Sequence, residues 1–271
     1  MNINKQLRHH KILSQIIHEY VSGTNTVILA KKYNTTRKTI VNILKENDVT
    51  LRTPSQYLRK YKLDETSFDE LNPQSLYWIG FLLADGNLFH RNNEYIIQIG
   101  LQESDYKHLE KFCQFLKTNK PLQYDKGNKS VHISINSKHI FDQLSKYGLR
   151  ERKSLDADVI PIIAESWDFW RGYIDGDGSF NTTTNYRVSL ISSNHLSDKF
   201  CKLINTNFHY DCTIYQHSLS PKMRMTQITK LNIIHKLLRN LYTTDFICLD
   251  RKLIQAEILI NAKLKYKTHV G

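Results

Sequence analysis

Cysteine, proline and glycine are scarce in this 271-residue chain, at four, five and ten residues. The cysteines (Cys113, Cys201, Cys212, Cys248) form no C-x-x-C pair and no other zinc spacing, which excludes zinc-finger and disulfide-framework classes. With no signal peptide in the sequence, they are expected to be reduced thiols of a cytoplasmic protein, bacterial or from a phage-infected host. Long apolar runs are missing too. Those present fall well short of the roughly 20 residues that a membrane span needs, and neither end carries a lipidation signal. Acidic residues are missing from one place in particular. Residues 1–63 hold 12 Lys+Arg against three Asp+Glu, whereas residues 64–271 hold 26 against 23. The front therefore supplies most of the net charge of +12, as an appended nucleic-acid-binding module does. A hydrophobic content of 40% is enough for packed cores.

That front is patterned. Ile12, Ile16, Ile17 and Tyr20 fall at helical spacing and Gly23 stops the run. A short second helix over 26–33 presents Val27, Leu29, Ala30 and Tyr33, and Asn34-Thr35-Thr36 supplies a turn and an N-cap. In a third helix over 37–47, Ile40, Ile43 and Leu44 point inward, and Arg37, Lys38, Asn42 and Lys45 outward toward DNA. Helix, short helix, tight turn and basic helix make a helix-turn-helix domain over residues 1–50. The stretch Val27–Lys45 resembles the resolvase and invertase type of that motif. Residues 51–73 read as a linker whose Arg52 adds a phosphate contact.

Two segments beyond it end alike. Leu76–Gly86 (LYWIGFLLADG) and Phe169–Gly178 (FWRGYIDGDG) are apolar, aromatic-rich helices closed by Asp-Gly, each with a glycine five residues before its last aspartate. The terminal glycine is expected in the left-handed conformation that ends helices. A carboxylate in the last turn has the wrong sign for the helix dipole, and the same departure at matching positions points to a site. The surrounding pattern repeats with an offset near 92 residues. After each motif come a turn, an alternating strand (Tyr95–Leu101, Tyr186–Ile191), an amphipathic helix, two short strands, a further helix and a basic pair. The predicted fold is α+β: a pseudo-twofold duplication of αββαββα units, residues 74–160 and 161–271, preceded by the all-α front. Gly80 with Ala84, and Gly172 with Gly176, let the two opening helices pack closely.

Such packing brings Asp85 and Asp177 side by side, where they repel unless a cation lies between them. Oxygen donors with the rest of the shell left to water and phosphate suit Mg²⁺, or Mn²⁺. Lys153 and Lys252, at matching places in the two halves, are candidates to stabilise charge on a phosphate. Gln98 and Arg187, read as similar points on the two strands, are candidates to order water at the cut or to contact DNA. Asp175-Gly-Asp-Gly lacks the later positions of a calcium loop.

Trp78–Gly86 and Trp170–Gly178 resemble the two signature motifs of the LAGLIDADG homing endonucleases, and the likeness extends to Gly148–Ser154, Trp167–Gly172 and Leu241–Lys252. It covers about residues 74–265. The resemblance implies a monomeric two-repeat enzyme whose sheets form a saddle over double-stranded DNA. It also implies Mg²⁺-dependent double-strand cleavage across the minor groove, leaving 3′ overhangs at a long target, and a mobile-intron or free-standing genetic element. Asp85 and Asp177 match the metal-binding catalytic acids. The first motif departs from the second in carrying Leu83 where Asp175 stands, and Asp175 is expected to bond locally at the helix end. An intron-RNA maturase and a non-catalytic DNA-binding regulator are alternatives on the same fold.

Overall fold

The computed structural model describes residues 7, 9–52, 59–151, 156–183, 185–218, 220–242 and 246–263. It divides into two compact units, Met1–Tyr61 and Lys62–Gly271. No helix among the described residues is long and apolar enough to cross a membrane.

In the first unit, α1 (His10–Val21), α2 (Thr26–Lys32) and α3 (Arg37–Glu46) close around Ile16, Tyr20, Leu29, Ala30, Ile40, Ile43 and Leu44. The two caps are explicit. Asn25 accepts from the backbone N–H groups of Val27 and Ile28 to start α2, and Thr36 accepts from Thr39 to start α3. Between them Asn34 turns the chain at φ 48°, a conformation asparagine tolerates. Lys32 spans back to Glu19 of α1 at 2.6 Å.

The linker expected over 51–73 is shorter than that. Residues 53–58 lie outside the described residues, and from Lys62 onward the segment packs into the second unit. Phe68 is fully buried edge-on against Phe115, and its carbonyl accepts from the Tyr147 hydroxyl at 2.8 Å. A single buried phenylalanine in a polar stretch is what hid this segment from a reading by composition.

The second unit is built twice over. Its first half runs α4 (Pro73–Ala84), β1 (Gly86–Arg91), β2 (Glu94–Gln102), α5 (Tyr106–Phe115), β3 (Gln123–Asp125), β4 (Ser130–Asn136) and α6 (Lys138–Lys146). A short α7 (Pro161–Ala164) leads into the second: α8 (Trp167–Asp177), β5 (Gly178–Asn181), β6 (Arg187–Ser193), α9 (Asn194–Phe208), β7 (Thr213–Gln216), β8 (Met223–Ile228), α10 (Leu231–Leu241) and α11 (Asp250–Ile260). Each half forms a four-stranded antiparallel sheet of the same order, β1-β2-β4-β3 and β5-β6-β8-β7. Leu88, Ile97, Ile99, Leu101, Val131, Ile133 and Ile135 are buried on one face of the first sheet. The alternate residues Asn87, Gln98, Gln102, His132, Ser134 and Asn136 occupy the other, more open face, as strand periodicity requires.

One expectation about the motifs is corrected. The first strand of each sheet begins at the motif glycine, in a segment read from sequence as a turn. Gly178 is extended at φ −73° and ψ 152°, and Gly86 is not among the left-handed glycines. What these positions require is closeness. A Cβ on Gly86 would lie 2.6 Å from the Leu82 carbonyl oxygen, and one on Gly178 2.5 Å from that of Ile174. The chain leaves each helix by folding directly against its last turn, which places the strand beside the carboxylate.

Candidate active site

The helices α4 and α8 cross at their glycines, reciprocally. A Cβ on Gly80 would lie 2.0 Å from the Phe169 carbonyl oxygen, and one on Gly172 2.0 Å from that of Tyr77. One turn further on, a Cβ on Gly176 would meet the Ala84 Cβ at 2.5 Å and Asp85 Oδ2 at 3.1 Å. Side chains at the seam are reduced to hydrogen or methyl, so the two helix ends arrive together. Asp85 caps α4 and Asp177 ends α8.

Two neighbours register both acids. The buried Tyr173 hydroxyl is held well above its ordinary range, first by burial and then by Asp177, with Asp85 adding to the effect. Lys252, only 4% exposed, is lowered chiefly by burial and by Arg251, while Asp175, Asp85 and Asp177 pull it upward. Its ammonium donates to the Gly178 carbonyl, next to Asp177, and lies 5.2 Å from the Phe180 ring centre. A dry lysine amid three acids holds its proton less firmly than a solvated one. Lys153, its expected counterpart, lies outside the described residues.

Beside Asp85 opens a cleft of about 560 Å³, lined also by Gly176, Gln102, Lys129, Asp105 and Arg251. Arg251 pairs with Asp105 at 2.9 Å, tying the second half to the first across it. Among the described residues no group of three His, Cys, Asp or Glu side chains gathers as a metal site. The acids offer oxygen donors from two residues and leave the remaining positions open. That set matches an ion that keeps waters and takes substrate phosphate oxygens.

Gln98 and Arg187 do not occupy equivalent points. Gln98 pairs with Asn87 and Ser134, whereas the residue at that level of the second sheet is Ser189, which pairs with Ser179 and Gln227. Arg187 sits two residues nearer the strand start, opposite Asn181. The register runs from the motif glycines, Gly86 opposite Ile99 and Gly178 opposite Leu190, so the repeat offset on these strands is one shorter than on the motifs. The amide at this level of the second sheet comes instead from Gln227 on β8, a residue that sequence reading passed over.

Asp175 departs from expectation more sharply. It is fully buried and bonds over long range rather than locally: Tyr77 of α4 and Tyr242 donate to it at 2.7 and 2.6 Å, and the Leu249 N–H at 2.7 Å. Burial holds it up at about 6 against the pull of those three bonds. The motif aromatics are buried, yet Tyr77 donates to Asp175 and the Tyr173 hydroxyl lies under the influence of Asp177. The available signal was spacing: Tyr173 and Asp177 stand four apart on one helix and so share a face.

On the first unit, Lys38, Asn42 and Lys45 are exposed along α3, and Arg37 is exposed with Nε donating to Thr26 Oγ1 at 3.3 Å. Arg52 is a correction. Its guanidinium lies over the Tyr20 ring and donates to the Gly23 and Tyr20 carbonyls. Those carbonyls lie in and just past the last turn of α1, where a cation complements the helix dipole. The charge is spent inside the unit.

No family model matches the chain, and no curated protein does. Solved structures do match. The crystal structure of I-DmoI in complex with DNA and Ca aligns over 72% of this chain and 99% of that one, at 18% identity and a TM-score of 0.50. The I-LtrWI LAGLIDADG homing endonuclease bound to target DNA aligns over 72% of this chain and 88% of that one, at 10% identity and a TM-score of 0.49. The K262A mutant of I-SmaMI aligns over 70% and 91%, at 14% and 0.49. The two-sheet α+β architecture is the LAGLIDADG saddle fold.

Proposed function

We propose that the second unit is a site-specific double-strand DNA endonuclease of the homing type, hydrolysing phosphodiesters with divalent metal. The observation that carries this reading is the meeting of Asp85 and Asp177 at a glycine-lined seam, one acid from each half, where each chain segment enters its sheet. Two carboxylates brought to one place repel each other, and a cation between them relieves that repulsion. I-DmoI, solved with DNA and Ca, pairs this fold with the polymer and the class of ion proposed here.

Asp85 and Asp177 would hold Mg²⁺ or Mn²⁺, which when bound polarises the scissile phosphate and activates water for in-line attack. This chain's own residues do the rest. Tyr173 stands close to both acids with its hydroxyl kept protonated. Lys252 stands behind the start of β5 at Gly178, where its charge offsets the negative charge gathering on phosphate oxygens. The open face of the first sheet offers Asn87, Gln98 and Gln102, whose amides suit base edges, adenine above all. Cleavage across the minor groove leaves 3′ overhangs. Both acids come from one chain, so the monomer suffices. The first unit, with Lys38, Asn42 and Lys45 on α3, acts as a helix-turn-helix module that lengthens the footprint through phosphate and base contacts.

The test is cleavage of a randomised-site plasmid library with Mg²⁺, comparing the natural chain with Asp177→Asn. The expected outcome is one enriched target, linearised by the natural chain and left intact by the variant, with binding retained. Equal cutting by both proteins would remove the acids from the mechanism.

A further inference from the structure

The two halves differ where their motifs differ. In the second, Asp175 accepts from the Leu249 N–H at 2.7 Å. Leu249 is the N-cap of α11, and its carbonyl accepts from the Lys252 backbone N–H at 2.9 Å. Lys252 in turn donates from its ammonium to the Gly178 carbonyl beside Asp177. The far side of the same carboxylate is gripped by Tyr242, just past the end of α10, and Tyr77 of α4 binds it from the first half. Asp175 thus joins the motif helix to the start of the helix that carries the lysine. Leu83 stands at the corresponding point of the first motif and has no polar atom to do this.

We infer that Asp175 is a positioning residue for Lys252, and that through it the chemistry of one DNA strand is supported by a device the other strand lacks. The inference rests on the nuclease reading above. Lys252 is nearly buried and reaches its place by one backbone turn from Leu249, so a small shift of that N-cap moves the ammonium away from Gly178. Asp175 itself is fully buried. Its two oxygens are taken up by Tyr77, Tyr242 and the Leu249 N–H.

The experiment follows nicking of a supercoiled plasmid that carries the selected target, with each strand labelled separately. Asp175→Leu, copying the first motif, is expected to bind the target as tightly as the natural chain. It should accumulate nicked circles, with one strand slowed about 10²-fold, the scale of a misplaced reacting group. Lys252→Met should slow the same strand, and adding Asp175→Leu to it should change nothing further, because both act through one ammonium. Asp175→Asn, which keeps an acceptor for Leu249, should recover most of the rate. Should Asp175→Leu fail to fold, Tyr242→Phe replaces it in the same cycle with a smaller effect on the same strand. Equal slowing of both strands, or effects of Asp175 and Lys252 that multiply, would overturn the inference. A natural chain that cuts neither strand overturns the nuclease reading instead.

Discussion

At Gly80 and Gly172 the nearest obstacles to a side chain are backbone carbonyls of the opposite helix, which no rotamer change relieves. Gly172→Ala is therefore expected to cost at least about 3 kcal/mol, the upper range of overpacking penalties, measured as a loss of urea-unfolding free energy. Gly127, whose nearest neighbour is an aspartate oxygen at 3.4 Å, should accept alanine almost without cost. The glycines of the motif were legible in sequence because paired small residues one turn apart mean close helices. The role of Asp175 was not, since its partners lie 67 to 98 positions away. Acid and base meet in that network: His108 Nε2 lies 3.0 Å from the Tyr77 hydroxyl, which itself donates to Asp175. Burial lowers His108 to about 3 and raises Asp175 to about 6. The signs oppose. Between pH 6.5 and 3 the unfolded histidine is protonated and the folded one is not, so stability falls as pH falls. Between about pH 6 and 4 the folded aspartate holds a proton that the unfolded one has lost, so stability rises as pH falls. Each slope is roughly 1.4 kcal/mol per pH unit, and from pH 6 to 4 they offset. His108→Gln should expose the aspartate alone, so that the variant gains on the natural chain by about that slope on acidification from pH 6 to 4. A difference that stays constant across that range would show that His108 does not titrate as described.

The helices and most strands are legible because their periods are clean: β4 alternates buried and half-exposed residues over its whole length, and α3 carries its cap in Thr36. The strands β1 and β5 escaped because an Asp-Gly pair is also a turn signal. Only the packing of the glycine against the preceding turn decides that the chain goes straight into a strand. Arg171 shows the same limit inside α8. It reads as a charge interrupting an apolar helix, yet it is 2% exposed and donates to the Leu241 and Ile247 carbonyls and to Asp168 at 2.7 Å. It thereby holds the end of α10 and the approach to α11 against α8. Arg171→Met would leave a carboxylate and two carbonyls without their donor, and is expected to destabilise the unit by about 3–5 kcal/mol. The check is thermal unfolding followed by the near-ultraviolet signal of the buried Trp170. A shift no larger than that of an exposed lysine replacement would mean that water substitutes for the guanidinium.

On the scale of the whole molecule, charge is divided as sharply as structure. The first 63 residues carry most of the excess of cations, and the structure distributes them unequally between two uses. Arg52 is consumed by the carbonyls that close α1, whereas Lys38 and Lys45 stand exposed on α3. Composition alone made all three look alike, because a basic residue that caps a neighbouring helix and one that meets phosphate have the same sequence signature. If α3 lies on DNA, its lysines displace counterions, and each phosphate contact contributes about 0.9 to the slope of log affinity against log salt. Replacing Lys38 and Lys45 together by alanine should therefore flatten that slope by about two and weaken binding at low salt across all sequences. Cleavage once bound should keep its rate, since the acids lie in the other unit. Arg52→Ala should leave the slope unchanged and lower the melting temperature. Titrating target DNA at several salt concentrations separates the two. A slope indifferent to Lys38 and Lys45 would make the basic face of α3 a solvated surface and leave recognition to the sheets alone.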